Sequence, residues 1–400
     1  MKLTPAVKTG FAATAARAGF AASAAVLAGI SMSGCQAKEA DGGSASGDGA
    51  KKAAQITVDA SDTECKLSGT TATTGPSTFE VTNNGNKVTE FYVYGEGDRV
   101  MGEVENVSPG LKRQLIVQLT QPGTYQTSCR PGMVGEGIRG SFVVTGDAVK
   151  VDTEGKFKEA ADSYKRYVIS ETDALIPSTE AFVAAIKAKD VAKAKALYPI
   201  TRTYYERIEP VAESFPDDLD PRIDRREADL EEGQKWTGFH RLEKDLWVTG
   251  LQPDTNAIAD QLLADIKELE AGVKAPDWTI DSTQIAGGAQ GLLDEVAMSK
   301  ISGEEDIFSH TDLWDFKANI EGSQTAVASV RPILDEHNAE LGKRLDQRFA
   351  DVENLLEKYR DGDGFISYDK VTEPQRQELS RAIDALSKEV SQVQGVIAKQ

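Results

Sequence analysis

The chain has 400 residues, with 64 Asp plus Glu against 45 Lys plus Arg, a formal charge of −19 and a pI near 4.7. That balance argues against nucleic acid as a partner, because phosphate recognition runs on clustered Lys and Arg. Hydrophobic residues at 40% and charged ones at 27% can bury a sizeable core, while three His and three Cys restrict metal and nucleophile chemistry.

At the N-terminus Lys2, Lys8 and Arg17 surround the start of a small, apolar run from Ala18 to Ile30, followed by Met32-Ser33-Gly34-Cys35. This pattern reads as a secretory signal, and small residues directly before a cysteine look like a bacterial lipobox. Residues 1–34 are thus expected to be a lipoprotein signal peptide, with lipidation at Cys35. An ordinary cleaved signal beside an incidental cysteine is the alternative, and it changes the anchoring but not the compartment. Residues 35–55 have the Gly, Ser and Ala composition of a flexible tether. The expected location is extracytoplasmic or periplasmic, with the chain exported and held at the cell membrane by its lipid alone. No later stretch is long and apolar enough for a transmembrane helix.

Residues 56–146 carry short β-like runs, among them Ser77–Thr82, Thr89–Tyr94, Leu115–Leu119 and Gly140–Val144. Turn signals such as Asn83-Asn84-Gly85 and Gln121-Pro122-Gly123 separate them, which predicts a β-sandwich. Residues 147–160 read as a linker. Residues 161–400 show apolar positions recurring at three and four, as in Ala259–Ile266, which predicts an all-α helical bundle.

Tyr125–Met133 lies between the last two expected strands, where cupredoxins carry Cys and Met ligands, so the sandwich resembles that fold. A blue-copper centre also needs two His, and residues 56–146 contain none. Cys65 and Cys129 are expected to form a disulfide in an oxidising exterior. The alternative is a metal site of Cys65, Cys129 and Met133 with Glu90, Glu103 or Glu136, where sulfur would favour copper and carboxylate iron.

In the helical half, Lys235–Trp247 is the most informative segment. On one helix Trp236, His240, Glu243 and Trp247 would share a stripe, and His with Glu three residues on can ligate one metal. A core His hydrogen-bonded to its neighbouring Glu explains the same pattern. Asp361–Asp369 resembles the middle of an EF-hand loop, but aligned on Gly364 its first and twelfth positions are Tyr359 and Lys370, so a polar turn is the better reading.

Tyr204–Glu213, Gly238–Glu243, Gly291–Ala297, Ile301–Glu305 and Ser309–Phe316 together resemble the EfeO-type iron-uptake lipoproteins, in which a cupredoxin-like domain precedes an imelysin-type helical domain. The family's His-x-x-Glu falls on His240 and Glu243. The resemblance implies iron, Fe(II) or Fe(III), captured outside the membrane and delivered to an iron permease, alongside a haem-peroxidase-like partner. Two ligands leave a cation underliganded. Glu206 and Glu209 are the first candidates to complete the set, then Asp260 and Glu295. His310 could support the metal ligands from behind or be a packed core histidine, the favoured reading, and His337 is expected to be exposed. Two alternatives stand: a zinc peptidase of the imelysin group, for which Lys244 stands where a second His is wanted, and a redox copper or iron protein. No nucleophile motif is present, so no enzyme activity is expected.

Overall fold

A computed structural model of the chain describes residues 54–230 and 232–400. The expected signal peptide, Cys35 and most of the tether lie outside these residues. Nine strands form two sheets: β1 (Ala54–Ala60), β2 (Cys65–Leu67), β3 (Thr71–Thr73), β4 (Gly75–Asn83), β5 (Thr89–Tyr94), β6 (Val100–Val107), β7 (Lys112–Leu119), β8 (Gly123–Pro131) and β9 (Ile138–Thr145). One sheet runs β2-β1-β4-β7 and the other β3-β9-β8-β5-β6. Ile56, Val58, Phe79, Val81, Phe91, Val93, Leu115, Val117, Phe142 and Val144 fill the space between them. This is the expected sandwich, and it begins two residues earlier than the pattern suggested.

Strand β5 shows how the sandwich meets the rest of the chain. Phe91 and Val93 point into the sandwich core, so Glu90, Tyr92 and Tyr94 point the other way. All six residues are nevertheless buried, because the second face is covered too. Strand β6, which the sequence reading did not pick out, runs antiparallel to β5 with Phe91 opposite Val104 and Tyr92 opposite Glu103. Gly102 faces inward, where a Cβ would stand 2.9 Å from Val117. Glu103 therefore shares the outer face with Tyr92.

Cys65 and Cys129 are disulfide-bonded, tying β2 of one sheet to β8 of the other across 64 residues of sequence. The alternative metal site built on their sulfurs is thereby corrected: both sulfurs are consumed, and with no histidine in residues 56–146 a blue-copper centre has neither thiolate nor imidazole here. Exchanging both cysteines for serine should cost roughly 2–5 kcal/mol. A melting curve of the oxidised protein against the variant checks this, and reductant should lower only the wild-type curve.

The helices are α1 (Gly155–Lys187), α2 (Val191–Glu206), α3 (Glu209–Glu213), α4 (Leu219–Asp224), α5 (Gly238–Lys244), α6 (Thr255–Lys274), α7 (Ser282–Met298), α8 (Asp312–Leu356), α9 (Glu373–Val390) and α10 (Val393–Ile397). Long α8 is kinked at Asn338. Helix α7 opens with a capping box from Asp281 and Gln284 and packs against β6 and β7, joining the two halves. Two details depart from expectation. The linker is shorter, since α1 starts at Gly155, and the expected polar turn in the Asp361 region, at Gly362-Asp363, joins two short strands, Arg360–Asp361 and Gly364–Phe365.

Candidate metal centre

Helix α5 starts where a glycine lets it. Gly238 has φ +86°, and a Cβ there would stand 2.1 Å from the carbonyl oxygen of Ile223, so only glycine allows α5 to abut α4. That contact brings His240 beside Asp224. Trp236 precedes the helix and donates from Nε1 to the Arg225 carbonyl, so it is not part of the expected stripe. Trp247 lies in the wider-turned segment Asp245–Thr249 and packs edge-on against Tyr198.

His240 is 2% exposed, and its Nε2 has no hydrogen-bond partner. Asp224 Oδ1 and Glu305 Oε1 each stand 3.5 Å from that nitrogen. One ligating atom from each of these three residues lies within 4.8 Å of the others. On the other side of the ring, Nδ1 faces Glu243 Oε2 at 3.3 Å. The second oxygen of Glu243 accepts backbone N–H groups from Phe308 and Ser309, at 3.0 and 2.7 Å. Glu243 thus fastens the segment that carries Glu305 onto α5.

Beneath this group lie two buried cations. Arg202, 0% exposed, donates to Glu305 at 2.9 Å and Asp315 at 3.2 Å, and also pairs with Glu206 and Asp224. Lys300 reaches Glu206 at 2.8 Å and Glu209 at 3.2 Å. Glu206 is therefore held between two side-chain cations, while Asn319 donates to its second oxygen at 3.2 Å. The electrostatics follow from this crowding. Burial and the Arg202 charge oppose protonation of His240, but Asp224, Glu243 and Glu305 outweigh them and push its pKa up to about 10. Burial raises Asp224 to about 7 against the pull of Arg202 and His240. Glu305 goes the other way: burial would raise it, yet Lys300, His240 and Arg202 hold it well below the usual carboxylate range.

Asp224 and Glu305 also form part of the wall of a cavity of about 550 Å³ between the helices and the outer face of the five-stranded sheet. The helices add Glu209, Glu213, Asp220 and Glu295, and the sheet adds Glu90, Glu103 and Glu105. Burial drives Glu90 and Glu103 up to about 7 and Asp220 to about 6, with neighbouring carboxylates adding to the rise.

Of the residues singled out from sequence, His240, Glu243, Glu206 and Glu209 converge here, while Glu295, Glu90 and Glu103 face the same cavity from farther round. Met133 lies on its edge, as does Glu136, whose side chain is 83% exposed and paired with Arg139. Asp260 does not belong: it is exposed on α6 and paired with Lys187. His310 is half-buried rather than packed in the core, and His337 is exposed as expected. Sequence reasoning missed Asp224, Glu305, Arg202 and Lys300 as site residues, although Glu305 stood inside a motif already quoted.

A cupredoxin-like sandwich followed by a helical domain with a buried carboxylate and histidine cluster defines the class. Residues 160–393 match the sequence model of the imelysin family, and residues 23–144 match that of the cupredoxin-like domain. The chain is 42% identical over 350 residues to the "Iron uptake system component EfeO" of Escherichia coli K12, covering 86% of this chain and 91% of that protein. The same figures hold for the EfeO proteins of Escherichia coli O157:H7 and Shigella flexneri. The chain belongs to the imelysin family and, within it, to the EfeO group.

Proposed function

We propose that this protein is the extracytoplasmic iron-binding component of an iron-uptake system, capturing iron in the cavity between its two domains and passing it to a membrane permease. The observation that carries the reading is the free Nε2 of buried His240, flanked by Asp224 and Glu305 at the base of a carboxylate-lined cavity. One imidazole with carboxylates suits iron of either charge. Glu209 is the next available carboxylate beside them. A lipid on Cys35 would keep the protein near the permease, and a haem-peroxidase-like partner would work beside it. The relatives are named as iron-uptake components, which supports the same reading.

Peptidase chemistry finds less support. Zincins coordinate their metal with two imidazoles, and among the described residues each three-residue cluster suited to a metal contains at most one.

The test is metal content after equilibration with equal iron, zinc and copper. Wild type should retain iron, and His240→Ala or Asp224→Asn should lose it; retention of iron by both variants would overturn the assignment. Glu243 has a distinct role in this reading. Phe308, Ser309 and His240 already engage its two oxygens, so in this reading it orients the ligands; its grouping with His240 and Asp306, the other buried trio at this imidazole, is the arrangement in which it would bind the metal itself. Glu243→Gln should weaken iron binding by about 10- to 100-fold, with faster hydrogen exchange at the Phe308 and Ser309 amides even without metal. Loss of one iron ligand by X-ray absorption, with those amides still protected, would instead make Glu243 a ligand.

A further inference from the structure

Arg202 holds the same two oxygens that face His240 Nε2. Its Nη1 donates to Asp224 Oδ1, and its Nη2 donates to Glu305 Oε1 at 2.9 Å and to Asp224 Oδ2 at 3.3 Å. Asp224 Oδ1 and Glu305 Oε1 are the atoms that stand 3.5 Å from the imidazole nitrogen. Two donors each about 2.1 Å from one ion lie roughly that far apart, so the guanidinium keeps these oxygens near the positions a metal would use. It is also anchored away from the imidazole: Nε donates to Asp315 Oδ2 at 3.2 Å, and Nη2 reaches Glu206. Two buried atoms beside this arrangement make no hydrogen bond among the described residues, His240 Nε2 and Asp315 Oδ1. The first is a ligand atom without a metal, and the second is an acceptor without a donor. An oxygen shared between a guanidinium and a metal binds each more weakly, and two such cations repel strongly where water is excluded.

We propose that Arg202 is the exchange partner of the iron, a positioning residue that holds Asp224 and Glu305 in the metal-free protein, yields both oxygens when iron binds, and takes them back when iron leaves. The proposal rests on reading Asp224, His240 and Glu305 as the place of iron capture. During exchange the guanidinium keeps Glu206 and Asp315 Oδ2, and its freed N–H groups turn to Asp315 Oδ1. Asp224 and Glu305 are thus paired with a cation in both states, and neither carboxylate is left buried with an uncompensated charge. This matters for a protein that must hand its cargo on. The returning guanidinium offsets part of the cost of breaking the metal bonds, so iron leaves faster than it would from the three ligands alone.

Arg202→Lys keeps the charge but replaces a five-donor fork by a single ammonium, which can answer Glu206 and Asp315 without also spanning Asp224 and Glu305. Exchange predicts a sign that a scaffold role does not. The variant should bind iron about tenfold more tightly, the scale on which groups behind metal ligands act, with the gain in slower release to a chelator, even as its metal-free melting temperature falls. Unchanged or weaker binding, with release as fast as wild type or faster, overturns the proposal. Should the variant fail to fold, wild type answers in crystals of the full chain equilibrated with iron(II) and, separately, with iron(III). Iron on His240 Nε2 should come with the contacts from Arg202 to Asp224 Oδ1 and Glu305 Oε1 opened past hydrogen-bonding distance, while Nε stays on Asp315. Iron on Nε2 with both contacts intact would end the exchange and leave the capture site standing. Iron bound only away from Nε2, in either oxidation state, would end both.

Discussion

Replacing Arg202 by methionine is expected to remove about 3–5 kcal/mol of folding stability, a large share of what a domain has. The side chain is fully buried on α2 and pairs with Glu206, Asp224, Glu305 and Asp315. Methionine fills similar volume, so the cost is not a cavity. It comes from buried carboxylates left with Lys300, His240 and Arg226, the last 3.8 Å from Glu305, to answer them. Urea unfolding at neutral pH measures the loss. Lowering the pH should shrink it, because carboxylates stripped of their partner have folded pKa values above their unfolded ones. Such groups contribute fully below the unfolded pKa, and that contribution is lost as the pH rises through the folded value. A variant as stable as wild type at pH 7 would mean that the network is held by other contacts.

The fold was legible from the sequence where period and punctuation agreed. Thr89–Tyr94 was read as a strand and is β5, to the residue. The His-x-x-Glu pair was found because i and i+3 share a helix face. Its flank does not share that face: Thr237 is an N-cap residue type directly before α5, which begins at Gly238, and this start signal places Trp236 outside the stripe. Strand β6 was missed although Val100, Gly102 and Val104 alternate with Glu103 and Glu105. What no local pattern could reveal is the ring of charge itself. Arg202 and Glu305 are 103 positions apart, and Asn106 donates to Glu295 across 189. Helix carboxylates are ordinarily exposed, so burial of Asp224 on a six-residue helix follows only from how α4 and α5 meet. Asp260 shows the same limit in reverse, since it fits the pattern equally well and faces solvent.

Iron binding is expected to strengthen steeply with pH and to release protons. In the metal-free protein His240 holds a proton up to about pH 10, and Asp224 holds one up to about 7. A metal must displace each proton whose site it takes. If two leave together near pH 6, the apparent Kd falls on the order of a hundredfold per pH unit. Titration calorimetry in two buffers of different ionisation enthalpy counts those protons directly. The stability of the metal-free protein should run the opposite way. Raised carboxylates add stability below their unfolded pKa and lose it as pH climbs to about 7, and His240 continues the decline from its unfolded value towards 10. Bound iron replaces those protons with a charge that does not titrate away. The difference in melting temperature between loaded and metal-free protein should therefore widen from pH 5 to pH 8, and an affinity that is flat over this range would mean that iron is held elsewhere.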